Sequence, residues 1–207
     1  MTIAIIGSGN VGGALAQSLI KGGHSVLIGA KTPLSDKSIR LATIIGEDRF
    51  TSVENAVRQA EVIIIATQPE TIIDLLPQLG DTKNKIIIDS TNTVRTKPEG
   101  YATAFHALAD KTNAAIVKCF NSTGFENMKN PDYNGTPIDM FMAGDDVAAK
   151  KVVRQLALDA GFAECYDFGK ADKVLLLEQF ALSWINLAIM QGMGRNIAFK
   201  ILNRTPL

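Results

Sequence analysis

Short apolar runs alternate with helical stretches through the first half of the chain. Thr2–Ile6 is a compact apolar run that ends at Gly7. Over residues 11–20, Val11, Leu15 and Leu19, with Ala14 and Ser18 beside them, fall on neighbouring helical faces. Gly22 and Gly23 then stop that helix, because glycine takes the left-handed turn. Ser25–Gly29 reads as the second strand and residues 35–45 as a helix with Ser35 as its N-cap. Phe50 marks a short third strand, and Ser52 caps a helix over Val53–Gln59. Residues 62–67 are apolar on both faces, as buried parallel strands are. A helix over 71–79, strands at 85–90 and 115–120, further strands at 138–143 and 163–168, and a helix at 147–160 follow. This alternation predicts βαβ units, right-handed crossovers and a parallel sheet.

The end of the chain reads differently. Residues 171–202 keep a helical pattern, interrupted near Gly192 and Gly194. The stretch 174–190 is apolar around much of its circumference but carries Glu178, Gln179, Ser183 and Asn186. A membrane span needs about 20 apolar residues with few polar ones. Burial in a homodimer interface is the expectation, with no membrane and no nucleic acid as partner. The domain reading is 1–170 for the sheet and 171–207 for a C-terminal helical cap or dimerisation element.

Composition narrows this picture. The 207 residues allow one doubly wound domain and a remnant, not a second domain of equal size. Lys plus Arg and Asp plus Glu are each 21, so a broad basic footprint for nucleic acid is not expected. Cys119 and Cys165 lack CxxC spacing and are expected as buried free thiols rather than a disulfide. Two histidines, His24 and His106, make no metal site. The opening residues read as strand and turn rather than a leader, so a cytoplasmic, reduced setting is expected.

The chemistry begins at Gly7-Ser8-Gly9-Asn10-Val11-Gly12, a G-x-G-x-x-G loop that follows a strand and opens a helix. Gly7 permits the tight turn, Gly9 lets a pyrophosphate approach, and Gly12 lets helix and sheet pack closely. Free N–H groups at the helix start hold the anion. The plain alternative is a strand–turn–helix with no ligand, or a methyltransferase-type loop. At the end of the second strand, an NAD site has an acid for the ribose 2′-hydroxyl. Here Ala30-Lys31-Thr32 stands instead, and Lys31 suits a 2′-phosphate, so NADP is expected. A solvated lysine is the plain reading of Lys31. The fold class is therefore α/β, a Rossmann-type doubly wound, mainly parallel sheet with a small C-terminal helical cap.

These residues carry a resemblance. The GSGNVG loop, the GAK segment, VIIIAT, IIIDSTN, VKCFNSTGFENM and NLAIMQGMGRNIAFKIL resemble the NADP-dependent deazaflavin (coenzyme F-420) oxidoreductases. They are similar also to the cytosolic domains of six-transmembrane metalloreductases. The resemblance implies a dimeric Rossmann domain that exchanges hydride between NADP(H) and a flavin- or deazaflavin-like ring. It implies that Ser8, Gly9, Asn10 and Val11 contact the pyrophosphate and that Ala30 and Lys31 lie by the 2′-phosphate. It places Thr67, Gln68 and Pro69 by the nicotinamide, with Asn121 and Ser122 flanking the ring. The deazaflavin enzymes often have His where Asn121 stands and Ser where Ala30 stands, so the acceptor stays open.

Three polar clusters just past strand ends, Thr67-Gln68, Ser90-Thr91-Asn92 and Asn121-Ser122-Thr123, are expected to line one crevice with the glycine loop. Each has a plain reading as a turn or cap. No general acid or base for an alcohol stands out, and no catalytic residue is assigned. His24 precedes the second strand, at the wrong end of the sheet, and His106 sits in a helix-like stretch. Trp184, Met190 and Met193 read as core or interface, while Phe120, Phe125 and Met128 are candidates to wall a planar substrate. Ring-to-ring hydride transfer needs mainly positioning. The rivals are a pyrroline-carboxylate-type imine reductase and a dinucleotide-binding regulatory module without turnover.

Overall fold

The computed structural model describes residues 1–30 and 35–204. Six parallel strands form its central sheet: β1 (Thr2–Ile6), β2 (Ser25–Gly29), β3 (Phe50–Thr51), β4 (Val62–Ile65), β5 (Ile86–Asp89) and β6 (Ala115–Lys118). Their spatial order is β3-β2-β1-β4-β5-β6. The order reverses between β1 and β4, which opens a crevice at the carboxyl ends of the strands. The expected α/β doubly wound sheet is therefore the observed one.

Alternate strand residues enter opposite faces. Ile3, Ile5, Ile28, Ile64 and Ile88 pack with α1 (Asn10–Lys21) and α7 (Val147–Asp159). Ala4, Ile6, Ile63, Ile65 and Ile87 pack with α3 (Val53–Gln59), α4 (Ile72–Leu79) and α5 (Ala104–Lys111). Caps set the helix starts. Ser35 Oγ accepts from the Ser38 N–H at 3.3 Å to open α2 (Asp36–Ile45). Ser52 Oγ accepts from the Asn55 N–H at 3.2 Å, and Asp146 Oδ1 from the Ala149 N–H at 2.8 Å. α1 starts at Gly9 with no side-chain cap.

Three parts differ from the sequence reading. The expected strands near 140 and 165 are shorter and leave the main sheet. Met140–Met142 (β9) and Cys165–Asp167 (β10) pair in parallel with each other, and a single bridge from Ala143 to Lys118 joins them to β6. Before them lie α6 (Phe125–Lys129) and a hairpin of β7 (Asp132–Tyr133) and β8 (Thr136–Pro137), all too short to leave a periodic signal. In the tail, α8 (Val174–Ile185) runs into a π-turn over Asn186–Met190, and residues 191–204 are not helical. Gly192 and Gly194 have φ of 71° and 84°, and these left-handed residues reverse the chain. The returning arm is held from outside itself. Ile197 O accepts from Trp184 Nε1 at 2.7 Å and Asn127 Nδ2 at 2.8 Å, and Asp139 Oδ2 accepts from the Ile201 N–H at 2.7 Å.

Cys119 and Cys165 are free and buried, with sulfurs 3.8 Å apart. Burial pushes the Cys119 thiol well above its usual range, so it stays protonated.

α8 docks through charge as well as through Val174 and Leu177. Lys118 is wholly buried at the end of β6. Its Nζ donates to Asp89 Oδ2 at 2.8 Å, Glu178 Oε1 at 2.7 Å and Thr91 O at 2.7 Å. Glu178 also accepts from the Thr93 N–H at 3.0 Å, and Asp89 from the Thr91 N–H at 2.9 Å. Removing the central cation would leave two buried carboxylates facing each other. Lys118→Met is therefore expected to lower stability by about 3–5 kcal/mol, measured as a shift of the urea denaturation curve. A loss within about 0.5 kcal/mol, typical of an exposed position, would contradict this role.

Candidate functional site

The crevice divides into two hollows on either side of the glycine loop, and Gln68 lines both. The first, about 370 Å³, lies over the ends of β1 and β2. Ile6, Val53 and Leu75 give it apolar walls, and Gly7, Ser8, Gly29, Ala30, Ser35 and Thr67 also line it. Its one charged lining residue among those described is Asp74, from α4. Lys31 and Thr32 lie outside the described residues. A chain of hydroxyls, Ser8 to Ser38 at 2.8 Å and Ser38 to Ser35 at 3.0 Å, joins the glycine loop to the start of α2.

The second hollow, about 330 Å³, lies over the loops after β5 and β6. Val11, Asn92, Arg95, Asn121, Thr123, Phe125, Trp184, Ile189 and Arg195 are among its walls. Its far side is built by α8 and the π-turn, so the tail does wall the crevice. Trp184 was expected only as core or interface, and Arg195 and Arg95 were not singled out from the sequence. Trp184 sits at ordinary core spacing, and Arg195 reaches the site only because the chain reverses.

The loop geometry explains its glycines. Gly7 has φ of 116°, and a Cβ on Gly12 would lie 2.0 Å from the Gly7 carbonyl oxygen. A Cβ on Gly9 would meet nothing within 4 Å. Gly9 therefore borders open space directly in front of α1, where the first N–H groups have no intrahelical acceptor. Asn10 is exposed at that end, and Val11 faces the second hollow. The arrangement suits a pyrophosphate between two half-sites.

Three buried side-chain atoms near successive strand ends have no hydrogen-bond partner among the described residues: Thr67 Oγ1, Thr91 Oγ1 and Asn121 Oδ1. They follow β4, β5 and β6. Leaving such an atom unpaired costs about 1–3 kcal/mol, so a ligand group that pairs with it gains that energy. Asn121 is 2% exposed, and its amide is locked to Asn92: Asn121 Nδ2 donates to Asn92 Oδ1 at 2.9 Å, and Asn92 Nδ2 to Asn121 O at 2.7 Å. Phe120 before it has φ of 57°, strained for an aromatic residue, and this kink redirects the chain after β6.

Not every expected residue faces the crevice. Ser122 is buried, and its hydroxyl donates to Met140 Sδ at 3.4 Å, away from the hollow. Pro69 is buried at the start of a 3₁₀ turn and lines neither hollow. Of the aromatic candidates Phe125 lines the second hollow, while Phe120 and Met128 are core. His106 Nδ1 meets Thr103 Oγ1 at 2.8 Å in a separate hollow near the start of β6. His24 pairs with Asp159 at 2.9 Å, near the amino end of β2. Among the described residues no His, Lys, Tyr or Cys lines either half of the crevice.

Residues 2–93 match the family described as NADP oxidoreductase coenzyme F420-dependent. The chain is 27% identical over 162 residues to the rat metalloreductase STEAP3, a match over 77% of this chain and 32% of that protein. It therefore spans about a third of that relative's length. An Arthrobacter sp. structure described as an F420-dependent NADP reductase is similar at a TM-score of 0.86 and 24% identity, over 98% of this chain and 100% of that one. A Sinorhizobium meliloti protein of unassigned function is similar at a TM-score of 0.73 and 23% identity, over 99% of this chain and 96% of that one. These two likenesses speak for the fold.

The glycine loop separates packing from binding. Gly9→Ala is expected to keep stability within about 0.5 kcal/mol while weakening NADPH binding in a fluorescence titration. Gly12→Ala is expected to lose both. Undiminished NADPH affinity in Gly9→Ala would place the pyrophosphate elsewhere.

Proposed function

We propose that this chain, whose residues 2–93 fall in the NADP oxidoreductase coenzyme F420-dependent family, is an NADPH-dependent reductase of a planar, flavin- or deazaflavin-like acceptor. One observation carries the reading. Thr67 and Asn121, each with a buried side-chain oxygen that has no partner among the described residues, line the two halves of one crevice, and no His, Lys, Tyr or Cys among those residues lines either half. Transfer to a planar ring asks for alignment at short range, which rigid neutral donors and acceptors supply. Reduction of an imine calls for a proton donor near the acceptor, and among the described residues the charged groups lining the second hollow are arginines.

The residues divide the work. The start of α1 and the backbone of Gly7, Ser8 and Gly9 hold the pyrophosphate. Ile6, Val53 and Leu75 sandwich the adenine, and Ala30 stands at the end of β2 where an acid would repel a 2′-phosphate. Lys31 and Thr32 then supply charge and a donor beside that phosphate. Gln68 spans the two hollows. Asn121 Oδ1, held by Asn92, accepts from the carboxamide N–H₂ and fixes the ring's rotation. Bound NADPH supplies the hydride. Trp184 and Phe125 present apolar walls that keep water from the acceptor ring. In this reading residues 1–170 carry the dinucleotide and residues 171–207 close the acceptor side.

The same tail serves a homodimer. Residues 171–190 are apolar and long enough to cross a membrane by length and composition, but Glu178 and Trp184 tie this segment into the fold. Leu175, Leu176, Ile189 and Met190 remain more than half exposed. A second copy of this face covers them. The unbonded sulfurs of Cys119 and Cys165 accord with a reducing, cytoplasmic setting.

Asn121→Ala is expected to lower kcat/KM for NADPH oxidation with riboflavin at least tenfold, the effect of one lost hydrogen bond to a positioned group. Unchanged turnover would remove Asn121 from the site. Leu176→Asp is expected to convert a dimer to a monomer in light scattering. A monomeric wild-type chain would refute the interface.

A further inference from the structure

We infer that the acceptor carries an anionic substituent and that Arg95 is the residue that selects it. This rests on the second hollow being the acceptor site. The two hollows differ in charge. Asp74 is the charged lining residue of the first among those described, whereas Arg95 and Arg195 are those of the second. The chain as a whole is neutral, so this cationic end is a local arrangement.

The two arginines are not equivalent. Arg195 is committed: its Nε donates to Glu126 Oε1 at 2.5 Å, and its guanidinium lies 5.1 Å from the Phe125 ring centre and 5.5 Å from that of Trp184. It builds the wall. Arg95 is exposed and has no ion pair or hydrogen bond among the described residues. The loop that carries it is nevertheless held on both sides. Thr93 bonds Glu178, and Thr96 Oγ1 donates to Glu70 Oε2 at 2.5 Å. A fixed loop thus presents a free guanidinium at the mouth of the hollow.

The pyrophosphate does not require this charge, because the glycine loop and α1 supply its donors. A planar ring against Trp184 and Phe125 does not require it either. What a free guanidinium at the rim fits is a phosphate or carboxylate on a side chain leaving the ring, taken by paired N–H donors.

FMN and riboflavin test this, since they share one ring and differ by a phosphate. Trp184 is the one tryptophan of the chain and lines the hollow, so quenching of its fluorescence reports binding without turnover. The wild type is expected to bind FMN roughly tenfold more tightly than riboflavin, the worth of one charge-assisted hydrogen bond. That preference should shrink as salt is raised. Arg95→Gln should weaken FMN far more than riboflavin and bring the two to parity, while Arg95→Lys keeps part of the preference. Equal binding by the wild type overturns the inference. So does a preference that survives Arg95→Gln, or a variant whose chief loss is in KM for NADPH with the flavin ratio intact. Riboflavin bound but never reduced by NADPH would refute the acceptor reading while leaving selection by Arg95 standing. Binding of neither flavin overturns both.

Discussion

A wholly buried ammonium at the carboxyl end of β6 holds three parts of this molecule in one place. Lys118 enters the core at a strand end, where water is excluded and an unpaired charge is prohibitively costly. It is tolerated because Asp89 comes from the neighbouring strand, Thr91 O from the loop beyond it, and Glu178 from a helix 60 residues later in the chain. That requirement fixes where α8 lies. Once α8 is fixed, Trp184 and Ile185 stand over the loops after β5 and β6, and the second hollow has a wall. The same contacts hold Thr91 and Thr93, between which Asn92 clasps Asn121. The ionic core and the binding crevice are therefore one construction.

The crevice is a product of sheet topology first and side chains second. The reversal between β1 and β4 leaves an opening at strand ends, and the uncapped start of α1 points its free N–H groups into it. Side chains then divide the opening into an apolar hollow with little charge and a hollow with a cationic rim. Three buried polar atoms without partners among the described residues, at the ends of β4, β5 and β6, and the strained backbone at Phe120 lie along this one edge. Unsatisfied groups carry a cost that packing elsewhere offsets, and three of them along one edge suit a ligand site.

Much of this was legible from residue order. The sheet strands and their helices announced themselves by apolar periodicity, and Ser35, Ser52 and the glycine loop act where local chemistry says they must. Thr67, Gln68 and Asn121 were legible from their positions just past apolar runs. Ser122 and Pro69 were not separable from them, because which neighbour faces a crevice depends on a backbone kink such as that at Phe120. The tail misled for a related reason. Residues 197–201 keep a helical apolar pattern, yet two left-handed glycines reverse the chain, and Trp184, Asn127 and Asp139 supply the bonds a helix would have made internally.

The sequence by itself determined the parallel sheet, the glycine loop between β1 and α1 and the lack of an acid just after β2, because these depend on periodicity and on neighbours a few residues apart. Only the tertiary structure decided that Lys118, Asp89 and Glu178 meet, that Trp184 and Arg195 wall the crevice, and that Arg95 stands at its rim without a partner among the described residues. Those relations join residues far apart in the chain. Pairing of buried charge and closure of a cavity are properties of packing in space, and no local pattern encodes them.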